Sequence, residues 1–180
     1  LREFVRYLFQ LGYMDTYLIP PKQMPKLHPE APYFFSEDEL FYFFRECDSY
    51  YAENPGPRAR GIIMPALFRV LYCCGLRPKE ARMLPYGNVN LTEKYIDVIQ
   101  SKGPKSRRIF ISDELASYLM IYDNYVSAMF PKRHYFFPVD VDKAYSVQTI
   151  GYNFTLIWKK AFPEWSGKLP RIYDLRHHFA

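Results

Sequence analysis

Hydrophobic residues recur at every third or fourth position over most of the chain after residue 35, the spacing of an amphipathic helix. Ser36 and Glu39 form the Ser-x-x-Glu pattern of a capping box ahead of the stretch DELFYFFREC. Ser112 precedes a long stretch that keeps the helical period as far as Val126. Helical spacing also extends over residues 58–71, residues 147–161 and a last stretch that starts near Tyr173. These patterns predict a mainly helical domain.

Glycine and proline residues mark where these helices end or begin. Gly75 ends the second predicted helix, and Pro65 within that helix predicts a kink or a boundary. Pro78 is well placed to start a short helical turn. The runs YIDVI at 95–99 and RIFI at 108–111 predict two strands that form a hairpin with a basic Gly-Pro tip. The predicted fold class is therefore α+β, mainly α with one small antiparallel sheet.

The first 35 residues follow a different pattern. The apolar repeat in LREFVRYLFQLG predicts a helix that ends at Gly12. Five prolines between positions 20 and 32 predict an extended connector, because proline disfavours both helix and central strand. A lone helix before such a connector predicts the end of a neighbouring domain. We therefore divide the chain into residues 1–14, a linker over 15–35, and a main domain over 36–180.

Composition bounds the size and the partners of this domain. A chain of 180 residues can form one well-buried domain with a short appendage, but is marginal for two domains. The 17 Tyr and 15 Phe are interpreted as core packing and amphipathic surface residues rather than as a platform for stacked bases. A net charge of +5 and a pI near 9.0 mildly favour a polyanionic partner.

The three cysteines, Cys47, Cys73 and Cys74, are odd in number and lack metal-ligand spacing. Cys73 and Cys74 lie in the apolar run FRVLYCCGL, which predicts that both are buried small hydrophobic residues. No disulfide framework is indicated, which fits a reducing compartment. The sequence also has no apolar stretch of membrane-spanning length and does not open with a secretory signal. These features predict a soluble, cytoplasmic protein.

Three motifs carry candidate chemistry. The first is Gly-Leu-Arg-Pro-Lys-Glu at 75–80, in a turn between helices. The second is Lys102, in Ser-Lys-Gly at the hairpin tip, and the third is Tyr-Asp-Leu-Arg-His-His-Phe-Ala at 173–180. Each motif alone is typical of a solvated surface. In this order and spacing, they resemble the tyrosine recombinase family over about residues 36–180, and residues 1–35 resemble the end of that family's core-binding domain and its connector.

The resemblance implies a tyrosine recombinase catalytic-domain fold in which two arginines, a lysine and a histidine surround one scissile phosphate. A tyrosine then attacks the phosphorus and forms a 3′-phosphotyrosyl link. Arg77 and Arg176 match the two arginines, and Lys102 matches the hairpin lysine. Glu80 matches the acidic residue that follows the first arginine, and His177 follows the second arginine as the pattern expects.

The chemistry of these residue types supports that assignment independently of the family. Negative charge gathers on the nonbridging oxygens of a phosphodiester during transfer, and planar guanidinium groups match that geometry with paired hydrogen bonds. The Lys102 ammonium can donate a proton to the departing 5′-oxygen. Glu80 is better suited to orienting an arginine than to proton transfer. We therefore expect no metal ion and no other cofactor.

The sequence departs from the family pattern at two points. Tyr173 stands where the family usually has histidine, and we interpret its phenol as a hydrogen-bond donor. His177 or His178 could supply the missing imidazole. The family register assigns the nucleophile to none of the tyrosines present. We therefore expect the natural protein to continue to a tyrosine, and we expect this incomplete catalytic domain to bind DNA without cleaving it.

Basic residues near the motifs are predicted to contact DNA phosphates, which would set affinity and salt dependence rather than sequence choice. They are Lys105, Arg107 and Arg108 at the hairpin, and Lys159, Lys160, Lys168 and Arg171 ahead of the last helix.

Three functions remain open at this level. The first is a bacterial or phage-encoded recombinase or integrase of a phage or mobile element, which acts as a homotetramer on double-stranded DNA and is a monomer as the isolated chain. The second is a DNA-binding protein of the same fold without catalysis, as Tyr173 allows. The third is a helical interaction domain with no role on DNA. Type IB topoisomerases use similar residue types, but the motifs resemble integrases more closely.

Overall fold

A computed structural model describes residues 2–16, 31–99 and 106–179 of the chain. The chain divides into two compact units, Leu1–Ala31 and Pro32–Ala180. The first unit contains α1 (Arg2–Gln10), and Gly12 follows it in a left-handed conformation, with φ 75°. The helix predicted at the start of the chain is confirmed. Most of the proline-rich connector, residues 17–30, lies outside the described residues.

The second unit is mainly helical with small antiparallel sheets, as the pattern predicts. Its helices are α2 (Glu37–Glu53), α3 (Arg60–Cys74), α4 (Pro78–Arg82), α5 (Asp113–Met129), α6 (Val147–Ala161) and α7 (Asp174–Phe179).

Serine caps start helices α2, α5 and α6. The Ser36 hydroxyl accepts a hydrogen bond from the amide of Glu39 at 3.1 Å, and the Glu39 carboxylate accepts one from the Ser36 amide at 2.8 Å. The predicted capping box of α2 is therefore confirmed. Ser112 caps α5 in the same way, and Ser146 caps α6. Each cap satisfies an amide that the first helical turn leaves without a partner.

Two sequence predictions concern residues of helix α3. The helix is continuous through Pro65, so no helix boundary lies there. Proline has no amide hydrogen, so Pro65 cannot donate the usual helical hydrogen bond. Its side chain is buried in the core. Cys74 is buried but Cys73 is exposed, which corrects the prediction for that pair. Neighbouring positions on a helix point in different directions, so only one of two adjacent residues faces the core.

The main sheet contains β1 (Val89–Asn90), β2 (Tyr95–Val98) and β3 (Arg107–Phe110) in the antiparallel order β1-β2-β3. The hairpin of β2 and β3 is confirmed, and its tip at 100–105 lies outside the described residues. A second sheet pairs β4 (Pro138–Asp140) with β5 (Lys143–Ala144), which the sequence did not predict.

Aromatic side chains fill the core where α2, α3 and α6 pack together. Trp158, Phe43, Phe68 and Phe154 are fully buried, and the rings of Phe43 and Phe154 lie 5.0 Å apart. Each such side chain contributes about 1.5–3 kcal/mol by leaving water. The interpretation of the aromatic residues as core packing is confirmed for this cluster. None of the helices in the described ranges is long and apolar enough to cross a membrane.

Candidate active site

The turn between α3 and α4 fixes the position of Arg77. Gly75 ends α3 with φ 56°, a left-handed conformation that glycine adopts without steric cost. Leu76 then inserts fully into the core, and Pro78 opens α4 at a position that suits proline. Arg77 lies between these two anchored residues as the N-cap of α4, with its side chain 46% exposed.

Three guanidinium groups meet at the carboxylate of Glu80. Arg77 donates to Glu80 through its main-chain amide at 2.9 Å and through Nη1 at 2.8 Å. Arg107, at the start of β3, donates through Nη2 at 2.7 Å and Nη1 at 3.3 Å. Nη1 of Arg176 lies 3.9 Å from Glu80 Oε2. We call these four residues the Glu80 cluster. Folding therefore brings both motif arginines to one carboxylate.

The arginines keep Glu80 ionised. Burial raises the pKa of Glu80, but hydrogen bonds from Arg107 and Arg77 outweigh that effect and lower the pKa to about 2. The pKa of Arg77 is raised, first by its hydrogen bond with Glu80 and then by one with Tyr173. The carboxylate is thus a fixed negative charge near neutral pH, and it holds the guanidinium groups in place.

Helix α7 positions Arg176 through buried neighbours. Asp174 and Leu175 are both buried, and α7 packs against α3. The Asp174 carboxylate accepts from the main-chain amide of Arg171 at 2.7 Å, which fixes the start of the helix. Arg176 then donates through Nη1 to the carbonyl oxygen of Gly75. This contact ties the third motif directly to the end of α3, where the first motif begins.

Tyr173 and His177 lie beside the Glu80 cluster. Tyr173 is 39% exposed, and its hydroxyl contributes to the raised pKa of Arg77. Its ring centroid lies 5.3 Å from that of His177, one helical turn farther along. Five of the predicted site residues are therefore close to one another. Lys102, the sixth, lies outside the described residues, and the side chain of His178 is not described.

The residues predicted to contact DNA differ in their surroundings. Arg107 binds Glu80, whereas Arg108 binds Asp97 through two hydrogen bonds of 2.8 Å and lies over the Tyr95 ring. Successive strand residues face opposite sides of a sheet, so only Arg107 faces the cluster. This link between Arg107 and Glu80 was not predicted from the sequence, although strand alternation was a signal for it.

The other predicted DNA contacts lie at the end of α6 and before α7. Arg171 pairs with Asp174, with Nη2 and Oδ1 3.2 Å apart. Nζ of Lys160 lies 4.9 Å from the centre of the Tyr50 ring. Lys159 and Lys168 are exposed, and Lys105 lies outside the described residues. DNA contact by this group stays a prediction.

The Glu80 cluster carries an excess of positive charge on a partly exposed surface. Three guanidinium groups face one carboxylate, and their remaining N–H groups can bind an anion with two acceptor oxygens. Within the described part of the chain, no group of three or more His, Cys, Asp or Glu side chains could hold a metal ion. The arrangement suits the binding of one phosphate group.

Comparison with known proteins identifies the family. The sequence profile described as the phage integrase family matches residues 36–180. The chain is 30% identical to a protein of Sinorhizobium fredii, y4rE, which is named as a candidate integrase/recombinase. That match covers 100% of this chain and 57% of the relative, so the chain spans little more than half the length of that protein.

Solved structures have the same fold. The crystal structure of XerA recombinase matches with a TM-score of 0.68 and 24% identity, over 99% of this chain and 58% of that one. A lambda integrase tetramer bound to a Holliday junction matches with a TM-score of 0.62 and 12% identity, over 98% of this chain and 51% of that one. The profile covers most of the chain and all four residues of the Glu80 cluster, and the chain therefore belongs to the phage integrase family of tyrosine recombinases.

Proposed function

We propose that the protein is a site-specific recombinase that cleaves and rejoins double-stranded DNA through a 3′-phosphotyrosyl intermediate. The observation that carries this proposal is the convergence of Arg77 and Arg176, which are 99 residues apart in the sequence, on Glu80. Paired guanidinium groups stabilise the charge that develops on a phosphate during transfer, and loss of one such donor costs about 10²–10³ in rate by analogy with oxyanion holes. The membership of the phage integrase family supports the same activity.

The reaction assigns a role to each predicted residue. A tyrosine oxygen forms a bond to the phosphorus, the bond from phosphorus to the 5′-oxygen breaks, and the 5′-oxygen leaves as a hydroxyl. Arg77 and Arg176 bind the nonbridging oxygens, and Lys102 gives the proton to the leaving oxygen. Tyr173 hydrogen-bonds the phosphate or the attacking group, and the His177 imidazole accepts the proton that the attacking tyrosine loses. Glu80 orients the arginines.

The proposed partner is double-stranded DNA, bound by a homotetramer in the full recombinase. The lambda integrase tetramer on a Holliday junction supports this assembly by likeness of fold. In this proposal, residues 36–180 form part of the catalytic domain, and residues 1–14 end a core-binding domain. The recombinase acts for a phage or another mobile element, as the name of the family suggests.

The 180-residue chain alone is proposed to bind DNA as a monomer without forming a covalent adduct, because the family register assigns the nucleophile to none of its tyrosines. The second candidate function is a catalytically inactive DNA-binding protein of the same fold. Tyr173 favours it, because a phenol is a poorer proton acceptor than the imidazole that the family usually has at this position.

Suicide DNA substrates test the proposal in the complete recombinase. We expect Arg77→Ala and Arg176→Ala each to abolish the covalent protein–DNA complex, while circular dichroism shows an intact fold. Glu93→Gln, at an exposed position away from the motifs, is the matched control and should leave the yield unchanged. Parental yields from both arginine variants would refute the site. A parent protein that binds DNA but never forms the complex would favour the second candidate.

A further inference from the structure

Two arginines line one pocket of the second unit without a carboxylate partner. Arg60 is the first residue of α3 and Arg82 is the last residue of α4. Both line a pocket of about 590 Å³. Within the described ranges, neither forms an ion pair with an acidic side chain. We call this cavity the Tyr145 pocket, after the residue that contacts both arginines.

Tyr145 holds the two guanidinium groups through neutral oxygen atoms. Its main-chain carbonyl accepts a hydrogen bond from Arg82 Nη1 at 3.2 Å. Burial raises the pKa of its phenol, and the guanidinium of Arg60 beside it opposes that rise. Nε of each arginine is buried and has no hydrogen-bond partner among the described residues. Buried donors without partners cost free energy, and they commonly mark places where an ion or water binds.

The position of Arg60 does not benefit the stability of the fold. A cation at the first residue of α3 faces the positive end of the helix dipole, which is unfavourable. The two residues before it, Arg58 and Ala59, have φ values of 53° and 59°, which L-residues rarely adopt. Each such residue costs about 1 kcal/mol or more. The helix dipole and the backbone conformation therefore do not explain why a cation stands at this position.

The remaining lining residues favour an anion. Lys143 on β5 adds a third cation, and Asp142 is the single carboxylate of the lining. Ser146, the N-cap of the 15-residue helix α6, also lines the pocket, so the positive end of that helix lies at its edge. Three cations, a helix N-terminus and two tyrosine side chains form a polar site for a phosphate group rather than for an apolar molecule.

The Tyr145 pocket lies one short helix away from the Glu80 cluster. Arg77 precedes α4 and Arg82 ends it, and five residues of α-helix advance about 7.5 Å. The backbone of a duplex carries a phosphate at every nucleotide, about 3.4 Å apart along the axis, so neighbouring phosphates are spaced closely enough for two sites at this separation.

We propose that the Tyr145 pocket binds a second backbone phosphate of the same DNA molecule. This phosphate belongs to the duplex that carries the scissile phosphate, but it does not react. The choice of DNA as the source of that phosphate rests on the proposed function. Arg60 and Arg82 bind the nonbridging oxygens, and Lys143 contributes charge at the rim. Such a contact fixes the register of the duplex against the domain without reading its sequence.

Salt-dependent DNA binding tests this proposal in the 180-residue chain. The affinity for a labelled duplex is measured by fluorescence anisotropy over a range of salt concentrations for the parent and for Arg60→Gln, Arg82→Gln and Lys143→Gln. Each variant should reduce the slope of log affinity against log salt by about 1, the effect of one lost phosphate contact. Lys143 is exposed, so its variant folds even if an arginine variant does not.

Arg58→Gln is the matched control. It removes the same charge two residues from Arg60, but Arg58 pairs with Asp140 at 3.3 Å and does not line the pocket, so its slope should equal that of the parent. Pocket variants with the parental slope would overturn the inference while leaving the proposed function intact. If the affinity of the parent chain for the duplex did not depend on the salt concentration, the proposed function and this inference would both be overturned.

Free phosphate has the same chemistry as a phosphate of DNA. Thermal unfolding of the chain with inorganic phosphate, at matched ionic strength, distinguishes these two ligands of the pocket. We expect inorganic phosphate to leave the midpoint of thermal unfolding of the parent unchanged, because a free phosphate ion lacks the other contacts that a duplex makes. A midpoint shift that Arg82→Gln abolishes, together with an unchanged DNA slope, would assign the pocket to free phosphate and overturn its assignment to DNA.

Discussion

The Glu80 cluster and the Tyr145 pocket differ in what holds their guanidinium groups. In the cluster, three arginines share one carboxylate whose pKa falls to about 2. In the pocket, Arg60 and Arg82 form hydrogen bonds with the oxygens of Tyr145, and neither has a carboxylate partner among the described residues. A carboxylate fixes the arginines firmly but offsets part of their charge, whereas neutral partners leave the charge available. We infer that the first site orients a reacting phosphate and the second binds a phosphate that does not react.

The substitution Glu80→Gln should reduce the stability of the fold more than the other substitutions. A smaller loss would contradict the difference between the Glu80 cluster and the Tyr145 pocket. The amide keeps the shape of the side chain but leaves the guanidinium groups without a counter-charge. We expect the free energy of unfolding to fall by about 2–3 kcal/mol, less than for a fully buried pair because the arginines are partly exposed. Arg60→Gln, which breaks no ion pair, should cost less. Urea denaturation compares the two, and equal losses would remove the distinction.

The stability of the fold should depend on pH through the Glu80 carboxyl group. The pKa of Glu80 is lowered from 4.5 to about 2 in the folded chain. A carboxyl group with a lowered folded pKa stabilises fully above its unfolded pKa, and this contribution is lost as the pH falls from about 4.5 toward about 2. It amounts to about 3 kcal/mol at most. The difference between the parent and Glu80→Gln should therefore shrink over that window, and a constant difference would contradict the account.

Arg107 and Arg108 test whether the cluster depends on geometry or on charge alone. Arg107→Gln removes two hydrogen bonds to Glu80, and we expect a loss of about 1 kcal/mol because Arg107 is one third exposed. Arg108→Gln, which removes the exposed pair with Asp97, should lose less. An NMR titration should show a higher pKa for Glu80 in the Arg107 variant only. The same pKa in both variants would mean that Arg107 does not position the carboxylate.

The substitution Tyr173→Phe should have the smallest effect. It keeps the ring beside His177 but removes the hydroxyl near Arg77. The Tyr173 hydroxyl accepts its hydrogen bond from Arg77 at a partly exposed position, where water screens the charge. The bond therefore contributes about 0.5 kcal/mol, and DNA affinity should change by about twofold or less. Anisotropy at low salt measures this change. A loss of about tenfold would assign the phenol a direct contact with the phosphate.

Local signals predicted most of the helices. The bounds of α6 agree with the apolar period, and the caps of α2 and α5 follow from Ser36 and Ser112. Pro65 predicted either a kink or a helix boundary, because helix interiors disfavour proline on average, and the continuous α3 excludes only the boundary. Strands β1 and β5 have two residues each, too few for an alternating pattern to show.

The candidate site was predictable only in part. The motifs named Arg77 and Arg176, because their residue types and spacing resemble a known family. The link from Arg107 to Glu80 depends on the pairing of Val98 with Arg107 across the sheet, which a single sequence does not specify. The Tyr145 pocket also escaped prediction, because its residues come from separate elements and have no common motif.

The central claim is that the Glu80 cluster offers two arginines to one phosphate. A crystal structure of the 180-residue chain bound to a short duplex tests it most directly, through the distances from Arg77 and Arg176 to the phosphate oxygens. We predict that both guanidinium groups lie about 2.7–3.2 Å from nonbridging oxygens of the same phosphate, with Glu80 still bound to Arg107. A phosphate held by only one of these arginines, or a duplex on a face that contains neither, would contradict the account.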